Sequence, residues 1–201
     1  MYTETERDQM RKQFFDKMAE GWENRNYQPK TLAGVKKILD RLNLPKGITI
    51  LDVGCGQGIL LPFLRKLAGK QATLIALDAS ANMLKAVKEK HAHTLPLHSR
   101  AENMPLLDEY VDAVICFSAF PHFSDKAAVA NEFYRVLKPG GKAYVLHLVD
   151  SKTLNCHHDK YHAVAGDHMP CADAMKTLFV QAGFKTTQLE EDKEYYFSAE
   201  K

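Results

Sequence analysis

Apolar positions recur in two different rhythms along the 201 residues. Over about Thr5–Trp22, Met10, Phe14 and Met18 return every fourth residue, as one face of an amphipathic helix requires. Tyr27-Gln-Pro29 interrupts the pattern. A second helix is expected over Lys30–Leu42, with Leu32, Val35, Ile38, Leu39 and Leu42 on one face. From Ile48 the rhythm changes. Short apolar runs at Ile48–Val53, Ala72–Leu77, Leu95–Ser99, Val111–Phe117 and Ala143–Val149 alternate with helical stretches at Ile59–Leu67, Ser80–Lys90, Ser124–Leu137 and Ser151–Tyr161. Continuous apolar runs of that length are strands buried on both faces. Pro139-Gly-Gly141 reads as a turn between the helix ending at Leu137 and the fifth strand. The tail carries a helix over about Ala172–Ala182, then strands at Phe184–Leu189 and Glu194–Ala199 with a turn near Asp192.

Strand–helix alternation predicts an α/β fold: a doubly wound, mostly parallel, seven-stranded sheet with helices on both faces. The last two strands have no helix between them, so one antiparallel strand is expected near the C-terminus. Ligands of such sheets bind beyond the carboxyl ends of the strands, where the strand order reverses. Attention therefore falls on Asp52–Gly58, Asp78, Ser99–Glu102, Cys116–His122 and His147–Asp150.

Charge narrows the partners. Lys+Arg is 27 and Asp+Glu is 25, a formal net charge of +2, which argues against a protein that lives on nucleic-acid phosphates or acidic lipid. The first residues are polar and acidic with no apolar stretch behind them, and no run approaches the ~18–20 apolar residues of a membrane span. Four scattered cysteines without a CxxC pair fit a reduced, cytoplasmic setting.

The chemistry starts at Leu51-Asp-Val-Gly-Cys-Gly-Gln-Gly58, between an apolar strand and a helix. Glycines at 54, 56 and 58 let the backbone turn and approach a ligand closely. Asp78 ends the second strand 20 residues later, where a carboxylate can accept both hydroxyls of a ribose. The dinucleotide pattern GxGxxG fails at Ile59, and no phosphate loop of the GxxxxGK(S/T) type is present. Asp52 would repel a pyrophosphate but suits a ligand with ammonium and sulfonium groups.

The segment Leu51–Gly58 resembles motif I of the class I S-adenosylmethionine-dependent methyltransferases, in particular the small-molecule group of the ubiquinone/menaquinone-biosynthesis type. Ala101-Glu-Asn-Met-Pro-Leu with Val111-Asp-Ala-Val-Ile resembles their AExLPF…FDxV segment. Glu132–Gly141 resembles ExxRVLKPGG, and Phe14–Trp22 resembles the lead-in YFDxxAxxY/W. The likeness implies S-adenosyl-L-methionine as cofactor and residue roles to match. Gly54, Cys55, Gly56 and Gly58 would approach the methionine part and the ribose, and Asp52 would help hold the methionine end. Asp78 would take the ribose hydroxyls, with Ala79 and Met83 near the adenine. Ala101 and Glu102 would run along the adenine edge, and Cys116 and Phe117 would flank the methionine moiety. Arg100 departs from the Asp or Asn of relatives and has no acceptor, so either Glu102 bonds the adenine amino group or that bond is missing. The chain is expected to be a single domain, 1–201, with an N-terminal helical cap (1–45), a cofactor-binding core (46–150) and acceptor-side helices with C-terminal strands (151–201).

Histidine is the remaining signal. Five of nine, His147, His157, His158, His162 and His168, fall within 22 residues, where a uniform spread would place about one. His122 follows the fourth strand on the ligand side and is the best candidate base, with packing against the next helix as the structural alternative. His147 should border the pocket. For the cluster, a solvated face, an acceptor pocket and a metal site compete. No metal is expected, although His158 and His162, spaced i, i+4, with His147 could ligate one. A small-molecule methyltransferase is the expected function. The alternatives are a non-catalytic cofactor-binding module and a methyltransferase acting on a metal-bearing substrate.

Overall fold

A computed structural model describes residues 4–161 and 164–201. The chain begins with α1 (Glu4–Met18), α2 (Trp22–Asn26) and α3 (Pro29–Leu39). The core runs β1 (Thr49–Val53), α4 (Leu61–Ala68), β2 (Thr73–Asp78), α5 (Ala81–Lys90), β3 (Thr94–His98), β4 (Val111–Phe117), α6 (Lys126–Val136) and β5 (Leu137–His147). It ends with α7 (Ser151–His158), α8 (Ala172–Gln181), β6 (Lys185–Glu191) and β7 (Tyr195–Glu200). The seven strands form one sheet in the order β3-β2-β1-β4-β5-β7-β6. All neighbours are parallel except β7, which is antiparallel to both β5 and β6. The order reverses between β1 and β4, so the crevice for a ligand opens beyond the carboxyl ends of those strands.

Side-chain alternation splits the core in two. Leu51, Val53, Val114 and Cys116 face α6 and α8 through Phe133 and Phe179. Ile50, Ala113 and Ile115 face α3 and α4 through Val35, Ile38, Leu61 and Leu64. A sheet covered on both faces explains why β1, β2 and β4 are buried along most of their length rather than alternating. Among the described residues no helix is long and apolar enough to cross a membrane.

Three elements differ from the sequence expectation. The first helix breaks after Met18, because Gly21 sits in the left-handed region (φ 68°) and starts α2 on a new axis. The second helix stops at Leu39 instead of Leu42. The fifth strand begins at Leu137 instead of Ala143. Lys138–Gly141 forms a bulge within it, between the pairs Val111–Leu137 and Ala113–Lys142, and Gly140 and Gly141 bond to Lys201.

The Glu132–Gly141 motif is architectural. Arg135 bonds Glu132 and Asp108 and donates to the carbonyls of Met104 (2.9 Å) and Leu106 (2.7 Å). Glu132 also accepts from the Met104 N–H at 2.6 Å. Together they pin the β3–β4 connection onto α6, and the pairing with Arg135 holds the Glu132 carboxyl below its ordinary pKa. Glu132→Ala would leave a backbone N–H and a guanidinium short of a partner. It is expected to lower stability by about 1–3 kcal/mol, a thermal midpoint several degrees lower by calorimetry.

Candidate functional site

β1 ends at Val53, and the chain turns through Gly54 (φ 70°), Gly56 (φ 53°) and Gly58 (φ 89°), all in the left-handed region. The N–H groups of Gly54 and Cys55 both donate to the Leu77 carbonyl, at 2.8 and 3.0 Å, tying this loop to the end of β2. A Cβ at Gly54 would lie 2.3 Å from the Ala119 Cβ, so the close approach of this loop to the β4 end admits only glycine. Gly58 serves packing: a Cβ there would meet Leu61 at 2.6 Å and His91 at 3.0 Å.

Asp78 closes β2 beneath the loop. Its Oδ2 accepts from the Gly56 N–H and its Oδ1 from the Ser80 N–H, both at 2.8 Å. Burial raises its pKa, and these two donors oppose the rise. Ser80 caps α5 by accepting from the Met83 N–H, and its hydroxyl donates to Asp16 of α1. Asp52, only 2% exposed, stands opposite in β1. Its Oδ2 has no hydrogen-bond partner. Burial first, and then the neighbouring Asp78, push its pKa up to about 8. Tyr27, following α2, likewise has a buried hydroxyl without a hydrogen-bond partner among the described residues, and burial first, then Glu23 and Asp52, raise its pKa. Buried polar groups are ordinarily bonded. An orphaned carboxyl beside a second carboxylate is a place for a cation.

A cavity of about 680 Å³ opens above these residues. Gly54, Gly56, Asp78, Ala79, Met83, Arg100, Ala101 and Glu102 all stand on its wall. Asp52, Cys55 and Gly58 lie behind the loop rather than on the wall. Cys116 and Phe117 are buried in β4, and Ser118 and Ala119 reach the cavity instead. The reason is a turn at Ser118, whose φ of 54° redirects the chain one residue past the strand. Arg100 pairs with Glu102 at 3.2 Å, and Glu102 also accepts from the Ser124 N–H at 3.2 Å. The cap closes the other side with Arg11, Lys12 and Phe15 of α1 and Trp22 of α2.

At one end of the cavity stands His122, the last residue of a 3-10 turn, Phe120–His122. Its Nδ1 lies 2.8 Å from Asp167 Oδ2. A carboxylate only accepts, so Nδ1 carries a proton, and in the neutral ring Nε2 is the bare nitrogen. Asp167, 3% exposed, also accepts from Arg11 Nε at 2.8 Å. Its backbone carbonyl lies 2.6 Å from His158 Nδ1, which fixes that ring in the same tautomer. The His122 and His158 rings lie 4.9 Å apart, tilted by 30°, and Phe15 meets His122 edge-on at 5.1 Å.

His147 is not on the cavity wall. Burial, then His158 and His122, push its pKa down to about 3, so it is neutral. His157 packs on Tyr161, and His168 pairs with Asp159 at 2.8 Å on the surface. The His158–His162 pairing falls on a residue outside the described ones. Among the described residues no group of three or more His, Cys, Asp or Glu side chains could hold a metal ion. Asp167 and Tyr27 escape a reading of the sequence. Asp167 meets His122 across 45 residues through a loop without periodicity, and the acidic residue within Gly166–Pro170 is the only local hint.

Residues 51–145 match the model of a methyltransferase domain. The chain is 34% identical over 116 residues to a demethylmenaquinone methyltransferase of Anoxybacillus flavithermus, covering 55% of this chain and 49% of that protein. It is 37% identical over 108 residues to a malonyl-[acyl-carrier protein] O-methyltransferase of Pectobacterium atrosepticum, covering 53% and 41%. The chain thus spans about half the length of the curated relatives it matches. The fold is similar to that of a SAM-dependent methyltransferase from Aquifex aeolicus, with TM-score 0.74, 21% identity, and 90% and 97% of the two chains covered. With the motif series, the cavity at the strand-order reversal and these likenesses in agreement, residues 51–145 are similar to the methyltransferase domain family, on the fold of an S-adenosylmethionine-dependent methyltransferase.

Proposed function

We propose that this protein transfers a methyl group from S-adenosylmethionine to a small-molecule acceptor seated at the His122 end of the cavity. The observation that carries the reading is the buried carboxyl pair. Asp52 is orphaned and short of a cation, and Asp78, with lone pairs left beyond its two N–H partners, faces the cavity. These residues fit a ligand with ammonium and sulfonium charges at one end and a ribose at its middle. S-adenosylmethionine, when bound, supplies a methyl group already activated on positive sulfur.

The chain's own residues supply position and dryness. Asp78 holds ribose hydroxyls, and Ala79 and Met83 with Ala101 bound the adenine side. Glu102 lies along that side, already bonded to Arg100 and the Ser124 N–H, so Arg100 acts by orienting Glu102. Gly54, Cys55, Gly56 and Gly58 shape the loop. Cys116 and Phe117 support Ser118 and Ala119, the residues nearest a methionine moiety. Phe15 and Trp22 of the cap exclude water, which strengthens every electrostatic contact inside. In-line placement of an acceptor at near-attack distance supplies much of the rate. His122 is the residue placed to touch that acceptor. His147 stands behind the wall and acts as neutral support.

Titration calorimetry with S-adenosylhomocysteine is expected to show micromolar binding. Asp78→Ala removes charged hydrogen bonds worth about 1.5–3 kcal/mol each and is expected to weaken binding at least tenfold. No binding by the wild type would overturn the proposal, and binding without turnover on any acceptor would make the chain a non-catalytic module.

Asp52 adds a pH signature. Its folded-state pKa of about 8 lies above its unfolded value, so the folded protein holds the extra proton between roughly pH 4 and 8. That contribution to stability is present at low pH and is lost as pH rises through about 8. In thermal melts from pH 5 to 9, Asp52→Asn is expected to hold its midpoint where the wild type falls, while binding S-adenosylhomocysteine more weakly. Parallel pH profiles would remove Asp52 from the account.

A further inference from the structure

Asp167 collects three partners from three parts of the chain. Its carboxylate takes Arg11 of α1 and His122, and its carbonyl takes His158 of α7. A carboxylate this buried persists only with such donors. The bond to Arg11 answers its charge. The bond to His122 does something else: it commits the imidazole to one tautomer, with the proton on Nδ1 and a lone pair on Nε2. The ring is held on its faces and edge as well, by His158 at 4.9 Å and Phe15 at 5.1 Å. An imidazole that merely packs or caps a helix needs no fixed tautomer. One that borders a cavity, with a carboxylate on one nitrogen and the other nitrogen bare, has the geometry of an oriented general base.

The surroundings narrow what the base acts on. Phe15, Phe123 and Trp22 share the cavity wall with His122, beside Arg11 and Lys12, a lining that suits a flat, apolar body bearing an oxygen that turns negative over one bearing a positive charge. Resting on the methyl-transfer reading above, we propose that His122, positioned by Asp167, is the general base for an aromatic or enolic hydroxyl, so that the acceptor class is a weakly acidic O–H on a flat apolar frame. The O–H proton passes to His122 Nε2 as an oxygen lone pair attacks the methyl carbon. The new O–CH3 bond forms as the S–CH3 bond breaks, and its electron pair stays on sulfur, which leaves as a neutral thioether. The imidazolium returns its proton to water. Asp167 touches neither reactant; it is a positioning residue that stabilises the imidazolium. Arg11, His158 and His147 face the same ring, and Arg11 and Asp167 offset one another's charge.

The test uses the intact protein saturated with S-adenosylhomocysteine and 4-nitrophenol as probe, read below the probe's own pKa. The wild type is expected to bind the probe and shift its absorbance toward the phenolate. His122→Gln should abolish the shift, with an unchanged circular-dichroism spectrum and a cooperative thermal transition as the control for folding. Asp167→Asn should reduce it about tenfold or more, within the range that general bases supply. In parallel, imidazole 15N spectra should show His122 with the proton on Nδ1 in the wild type and on Nε2 in Asp167→Asn, a change that a purely structural role would not produce. A probe that does not bind, a shift that survives in His122→Gln, or a wild-type His122 protonated on Nε2 would each overturn the proposal. Loss of S-adenosylhomocysteine binding by the wild type would instead count against the methyl-transfer reading itself.

Discussion

The site depends on two carboxyl groups buried side by side at the carboxyl ends of β1 and β2. Asp78 organises its surroundings: one oxygen takes the Gly56 N–H and holds the glycine loop, and the other takes the Ser80 N–H and starts α5. Asp52 organises nothing and has an oxygen with no partner. Burial first, and then the neighbouring Asp78, raise the Asp52 pKa, and a carboxyl so placed is costly to the ligand-free fold. The rest of the arrangement makes sense as what tolerates that cost. A rigid parallel sheet fixes both carboxyls, glycines leave room beside them, and a cap of aromatic residues keeps water away. A polycationic ligand would relieve what the fold itself leaves uncompensated. Strain of this kind at a functional site, offset by a well-packed core elsewhere, is how folded proteins ordinarily hold a binding site ready.

Much of this was legible before any coordinates. Runs such as Val111–Phe117 are too apolar for a half-exposed strand, and a helix between successive strands leaves only a parallel sheet. The glycine spacing with Asp78 pointed to the end of the sheet where the cavity opens. What sequence reading missed has physical reasons. The break at Gly21 and the bulge at Lys138–Gly141 are local backbone events that apolar periodicity does not record. The turn at Ser118 is one residue of left-handed backbone, and it puts Ser118 and Ala119 on the wall in place of Cys116 and Phe117. Asp167 and Tyr27 come from irregular segments, and only folding brings Asp167 to His122 and Tyr27 near Asp52. The family-like Glu132–Gly141 stretch fastens the β3–β4 connection to α6 and the bulge of β5 to Lys201, just past β7.

The histidine excess resolves into parts with different physics. His157 and His168 sit at the surface with Tyr161 and Asp159. His147 is held neutral behind the wall. His122 and His158 form a stacked pair whose tautomers are set by one residue, Asp167. In the proposed reading the sheet and the glycine loop serve the cofactor, and the cap helix and the 3-10 turn, braced by Asp167 from the loop after α7, serve the acceptor. Variation in those last three elements would change the acceptor without disturbing the cofactor.

The central claim is that one cavity holds the cofactor by its charge and ribose and points its sulfur at His122. A crystal structure with S-adenosylhomocysteine bound tests this most directly. The account expects the ribose hydroxyls on Asp78, the ammonium group within reach of Asp52, and the thioether sulfur directed toward the bare nitrogen of His122. A ligand bound elsewhere, or one whose sulfur faces away from His122 with Asp52 still unpartnered, would contradict it.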